Sequence, residues 1–205
     1  MKDKQINRLK QFMHDLKWRL MKPYWESFME PNSKVLDVGT GDLYLSKKVK
    51  KEFKCDVTGA DIYDYKTKFV KFVKIDGKKL PFKRNSFDYV MFSDTLHHMH
   101  KYEQQCLLEE ARRVAKKGIL IWEDDKNLTS YFLEIITNRL SMQKEFTHKD
   151  NMTWKWFFWG LGFKSQIYNI HKPFWYPLKH YFMFLDIVDI WDNNIKEFED
   201  VDRVR

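Results

Sequence analysis

The chain is poor in the residues that cross-link or interrupt a fold. Its 205 residues include seven glycines, five prolines and two cysteines. Cys55 and Cys106 have neither metal-ligand spacing nor a nucleophile context. A disulfide framework and a cysteine zinc site are therefore excluded, and both thiols are expected to be reduced and buried, in a cytosolic compartment. No long hydrophobic run is present. The longest, residues 156–163, falls far short of the roughly 20 residues a membrane span needs. Residues 1–22 carry seven bases and two acids, which predicts no secretory leader and a cytoplasmic protein. No internal repeat or low-complexity linker appears.

What is present is a globular composition, with 43% hydrophobic and 32% charged residues. Aromatics reach 17% and crowd the C-terminal third. The net charge is +8, unevenly spread: residues 186–205 hold seven acids and three bases, leaving 34 bases against 22 acids in residues 1–185. Such a body favours anionic partners such as nucleic acid or an acidic surface, although solvated surface lysines are the simpler account.

The most informative segment is Val35-Leu36-Asp37-Val38-Gly39-Thr40-Gly41-Asp42, followed by Leu43, Leu45, Val49 and Phe53 near helical spacing. The order is strand, tight glycine turn, helix, so bare backbone N–H groups at a helix N-terminus face a ligand. Asp37 lies two residues before the first glycine. A dinucleotide pyrophosphate disfavours a carboxylate there, whereas the ammonium and sulfonium of S-adenosylmethionine (SAM) favour one. The dinucleotide fingerprint also lacks its third glycine, because Tyr44 occupies that position.

Apolar periodicity predicts a first helix over residues 1–22, bounded by Pro23. Further strands are expected over residues 57–62, 69–75, 87–92 and 119–122, and a helix over 102–115 closed by Lys116-Lys117 and a C-cap Gly118. Residues 128–142 read as an inserted helix, 153–160 as a short aromatic helix, and 164–170 and 180–185 as two last strands. The division is a lid-like region over 1–30 and a main domain over 31–205 with a helical insert at about 126–150. Alternating strands and helices predict an α/β fold, a mostly parallel sheet with helices on both faces. The ligand then lies at the carboxyl ends of the strands, where Asp37, Asp61, Asp76, Ser93 and Asp94 share one rim.

Asp61, 24 residues after Asp37, is suited to accept both hydroxyls of a ribose. Asp76 is placed to accept from an adenine amino group, with Gly77 allowing close approach of the base; the bland reading of both is a turn or cap. With these residues in place the chain resembles the class I SAM-dependent methyltransferases, and within them the small-molecule group that includes ubiquinone/menaquinone-biosynthesis enzymes. The resemblance runs from about Val35 to Asp124 through four motifs: Val35–Gly41, Thr58–Ile62, Asp76 with Leu80-Pro81-Phe82, and Phe87–Val90 running to Leu96-His97-His98. It implies a Rossmann-like seven-stranded sheet, with Asp37, Gly39, Thr40 and Gly41 around the methionine moiety, Asp61 and Ile62 at the ribose, Asp76 and Gly77 at the adenine, and Ser93 and Asp94 on the sulfonium side. That family commonly has a further glycine where this chain has Leu43, which is expected to narrow the loop.

For the chemistry, His98 is the first candidate general base, with Asp94 to orient it or to touch the cofactor. The histidines also read as packing residues. No metal-ligand cluster stands out, and the motifs of nucleic-acid amino and cytosine-C5 methyltransferases are missing. The acceptor is expected to be a small molecule methylated at oxygen or carbon, with nucleic acid less favoured. RNA or protein methylation, or a SAM-binding module without turnover, are the alternatives. Trp154, Trp156, Phe157, Phe158, Trp159, Phe174, Trp175 and Tyr176 are candidate acceptor-site aromatics, though core packing explains most of them more simply. Tyr24 and Trp25 are placed as lid residues.

Overall fold

The structure is a computed structural model that describes residues 2–65, 67–125, 149–170 and 179–187, with side chains in the first helix from Gln11 onward. The expected inserted helix, the aromatics Phe174 to Tyr176 and the acidic tail lie outside the described residues. The elements run α1 (Lys2–Phe28), β1 (Lys34–Val38), α2 (Tyr44–Glu52), β2 (Asp56–Asp61), β3 (Lys71–Lys74), β4 (Phe87–Ser93), α3 (Lys101–Val114), β5 (Ala115–Asp124), α4 (Asn151–Gly160), β6 (Lys164–Asn169) and β7 (His180–Asp186). A 3-10 turn, Leu96–His98, links β4 to α3.

The seven strands form one sheet in the order β3-β2-β1-β4-β5-β7-β6, parallel except for β7, which pairs antiparallel with β5 and β6. Strict alternation within the strands builds two cores. Val35, Tyr89, Met91, Leu120 and Trp122 face one way, packing with Trp18, Met21 and Trp25 of α1 and Val49 of α2. Leu36, Val38, Val90, Phe92, Ile119 and Ile121 face the other way, against Leu107, Leu108 and Ala111 of α3 and Trp154 and Phe158 of α4. Burial on both faces is why these strands read as near-continuous apolar runs.

Two boundaries depart from expectation. Pro23 does not end α1, which continues to Phe28. Trp25, fully buried, and Met29 anchor the segment beyond Pro23 in the core, and Pro23 itself is exposed. Trp25 is thus a core residue, not a lid residue. Gly118 does not cap α3; it lies inside β5, paired with Tyr89 and Asp186. Its missing Cβ makes room for Phe184, whose ring would stand 2.3 Å from such an atom. Lys116 and Lys117, exposed on the first turn of that strand, meet Asp88 and Glu30 rather than helix carbonyls.

Candidate cofactor site

The chain reverses direction of sheet growth between β1 and β4, and a crevice opens at their carboxyl ends. A cavity of about 180 Å³ lies there. Its walls are Asp37, Gly39, Thr40, Gly41 and Asp42 from β1 and its loop, Tyr44 and Leu45 from α2, Ser93 and Asp94 after β4, and His14, Lys17 and Met21 from α1. Six sequence-chosen residues, Asp37, Gly39, Thr40, Gly41, Ser93 and Asp94, therefore share one wall.

The loop is held tightly. Gly39 has φ 75°, and a Cβ on it would fall 2.2 Å from Thr95 Cγ2, so β1 and the segment after β4 approach as closely as glycine permits. Thr95 Oγ1 also donates to the Gly39 carbonyl at 3.3 Å. Leu43, in the position where a glycine was expected, keeps a left-handed backbone at φ 63°. Its side chain is buried in the α1–α2 core and does not line the cavity, so the expected narrowing is not found. The apolar burial offsets the backbone strain.

Asp37 is buried on the α2 side, where Ser46 Oγ donates to its carboxylate. Burial, with Asp61 nearby, pushes its pKa up to about 7, against the pull of the Ser46 hydrogen bond. Asp61 ties the two loops together, accepting from Gly41 N–H at 3.2 Å and Tyr63 N–H at 3.0 Å. Ile62, exposed at the end of β2, lies beside Gly77: a Cβ there would meet Ile62 Cγ2 at 3.4 Å. Asp76 is exposed, and its Oδ1 accepts from the N–H groups of Lys78 and Lys79 at 2.8 Å each. Those donors hold its pKa below the ordinary value. Asp61, Ile62, Asp76 and Gly77 do not line the cavity itself; they lie along the rim over β2 and β3.

His98 lies on the 3-10 turn beyond Asp94, its ring centroid 4.0 Å from that of His97, and does not line the cavity. His97 is buried and its Nδ1 meets Glu123. Glu123, at the end of β5, also accepts from the N–H groups of Thr95 (3.0 Å) and Leu96 (2.7 Å), and so fixes the whole segment after β4. Burial works against its carboxylate, but His97 and those donors outweigh it and hold the pKa below the usual range. Next to it, Asp124 pairs with His180 Nδ1 at 2.5 Å, and Lys17 Nζ contacts Asp94.

Sequence reasoning missed Lys17, Glu123, Asp124 and His180. The two acids end β5 at the same rim as Asp37 and Asp94, a signal that was open to reading. Lys17, one of many bases in an amphipathic helix, carries none. Asp94, Asp124 and His180 also place three potential ligand atoms within 4.8 Å of one another, a cluster the sequence spacing does not disclose. Two of its members already pair together, and the third holds Lys17. Among the C-terminal aromatics, Trp154 and Phe158 are fully buried core, while Trp156 and Trp159 are exposed on the outside of α4. None of α4 lines the cavity.

Residues 36–122 match a family model described as "Methyltransferase domain". A search of curated protein sequences finds no match. Similar solved structures include the PH0226 protein of Pyrococcus horikoshii OT3, at 21% identity over 84% of this chain and 90% of that one, TM-score 0.66. A SAM-dependent methyltransferase from Aquifex aeolicus matches at 21% identity over 82% and 89%, TM-score 0.59. Magnesium protoporphyrin IX methyltransferase from Synechocystis PCC 6803, solved with bound S-adenosylhomocysteine (SAH), matches at 16% over 85% and 83%, TM-score 0.58. At these identities the structures speak for the fold. Strand order and glycine loop agree with the fold of these structures, and residues 36–122 carry a methyltransferase domain. The cavity offers a cradle kept open by Gly39 and a buried carboxyl at Asp37, features that suit an adenosyl ligand carrying an ammonium group.

Proposed function

We propose that the chain is a SAM-dependent methyltransferase that acts on a small-molecule acceptor, at oxygen or carbon. The observation that carries the reading is that α1 brings His14, Lys17 and Met21 to one wall of the cavity and so narrows the approach to it. A site flanked by a helix in this way suits a small acceptor better than a polymer. In this reading Asp37 receives the ligand ammonium, Gly39, Thr40 and Gly41 cradle the methionine moiety, Asp61 and Ile62 hold the ribose, and Asp76 with Gly77 holds the adenine. Ser93 and Asp94 stand on the sulfonium side.

Bound there, SAM supplies a methyl group on a sulfonium centre that departs as a neutral thioether. The chain's part is positional: to hold the acceptor roughly 3–3.5 Å from that methyl in line with the bond that breaks. Asp61 keeps the β1 and β2 loops in register through its two backbone contacts. Glu123 keeps the segment after β4 against them. His98, on the 3-10 turn outside the cavity wall, is the candidate to take the proton from a hydroxyl acceptor that approaches from that side, with Asp94 before it on the same segment.

A neighbour in fold, the Synechocystis enzyme, is named for a small-molecule acceptor, magnesium protoporphyrin IX. The competing reading is an RNA or protein acceptor, favoured by the basic body. Incubation with methyl-labelled SAM and a fractionated lysate separates the two. Label in the organic-extractable or low-mass fraction is the expected result. Label confined to RNA or protein overturns the small-molecule reading. SAM binding with no label transferred to any fraction favours a binding module without turnover.

A further inference from the structure

The wall of the cavity holds a cation that the reading above does not use. Lys17 projects from α1, its side chain only 18% exposed, and its ammonium contacts the Asp94 carboxylate. The backbone of Asp94 is left-handed, at φ 47°, with its N–H donating to the Trp122 carbonyl at 2.8 Å, so the carboxylate is fixed in place. Lys17 cannot easily leave. Two residues before it and one after, α1 is clamped to α2: Tyr44 Oη donates to Asp15 at 2.6 Å, and Trp18 Nε1 donates to Glu52 at 2.9 Å. Burial lowers the pKa of Lys17, while Asp124 and Glu123 favour its charged form. A buried ammonium, braced by a carboxylate, thus faces the same small space as Asp37, Gly39 and Ser93.

We propose that Lys17 sets the balance between SAM and SAH in this pocket, disfavouring the sulfonium of the donor relative to the neutral thioether of the product, with Asp94 acting in the opposite sense. The inference rests on the reading that the cofactor occupies this cavity. SAM and SAH share the same ammonium, carboxylate and nucleoside; they differ by one methyl group and one positive charge. In a space of about 180 Å³ a sulfonium lies within several ångströms of Lys17. At that range two like charges repel by several times thermal energy, even at an effective dielectric of about 20. The repulsion falls on SAM alone. It makes donor binding weaker than the pocket's other contacts allow, and it favours the charge state that follows methyl loss.

The test needs no acceptor. Calorimetric titration of the full chain with SAM and with SAH gives the ratio of the two affinities in the native protein, in Lys17→Met, in Lys17→Arg and in Asp94→Asn. Lys17→Met removes the cation and frees the Asp94 charge; it is expected to shift the ratio about tenfold toward SAM, while SAH affinity shows that the fold survives. Asp94→Asn is expected to shift it about tenfold toward SAH. Lys17→Arg, which keeps the charge, is expected to leave it within about twofold. A ratio that does not move in Lys17→Met, or that moves toward SAH, overturns the inference, as do parallel losses of both ligands. Failure of the native protein to bind either ligand overturns the cofactor reading itself, and the inference with it.

Discussion

Asp37 is where the site's stability and its binding pull against each other. A buried carboxyl whose folded pKa is raised to about 7 takes up a proton on folding at intermediate pH. Its contribution to stability is therefore fullest at low pH and is lost as the pH rises from the unfolded value near 3.8 through about 7. Above that, the ionised group is a cost that a ligand cation relieves. Asp37→Asn is accordingly expected to stabilise the ligand-free chain by about 2 kcal/mol at pH 8, measured by urea unfolding. The same change is expected to weaken SAM. The affinity of the native chain, relative to Asp37→Asn, is expected to fall about tenfold between pH 8 and pH 6, as the Asp37 carboxylate takes up its proton. A flat ratio would remove Asp37 from ligand binding. At this scale much was legible. The acid before the glycines and the acids ending β2 and β4 were read as a rim, because strand ends in a parallel sheet are where ligands lie. Leu43 was not legible: only the fold reveals that its side chain turns into the core while its backbone adopts the conformation glycine prefers.

At the scale of elements, the segment from Asp94 to His98 is the least self-sufficient part of the site. It has a left-handed residue and a short 3-10 turn, and the N–H groups of Thr95 and Leu96 depend on one buried side chain from a neighbouring strand. Glu123→Gln breaks the charge-assisted contact to His97 in a fully buried setting. It is expected to cost about 3 kcal/mol at pH 7, read from denaturant midpoints. Because the folded pKa of Glu123 is depressed, its contribution is present above the unfolded value of 4.5 and is lost as the pH falls through the folded one. A loss under about 1 kcal/mol would mean the segment is held by other contacts. The two misread boundaries share a cause. Pro23 and Gly118 are local stop signals, and in both places tertiary packing outweighs them: Trp25 in the core beyond Pro23, and the Phe184 ring over Gly118. The basic pair before Gly118 looked like a helix C-terminus because its partners, Asp88 and Glu30, are distant in sequence.

Across the whole molecule, the architecture follows from connection lengths. α2 carries the crossover from β1 to β2 and α3 that from β4 to β5, while residues 62–70 alone join the parallel pair β2 and β3. Only ten residues separate Asn169 from His180, too few for a helical crossover, and β6 and β7 pair antiparallel. The last step, β7 inserting between β5 and β6, matches their composition: β7, HYFMFLD, is apolar and mostly buried, whereas β6, KSQIYN, is polar and forms the edge. α1 adds the lid-like cover, although its C-terminal half is as much core as cover: Trp18, Met21 and Trp25 are buried against the sheet while His14 and Lys17 reach the cavity. No helix among the described residues is long and apolar enough to cross a membrane.

The central claim is that the crevice between β1 and β4 holds SAM through the rim acids. Calorimetric titration of the full chain with SAM and SAH, with NAD as control, tests it most directly when run beside Asp61→Ala. The account predicts micromolar binding of both adenosyl ligands, none of NAD, and at least tenfold weaker binding of both in a folded Asp61→Ala protein, about 1.4 kcal/mol. Absence of adenosyl binding in the native chain, or unchanged affinity in Asp61→Ala, would contradict it.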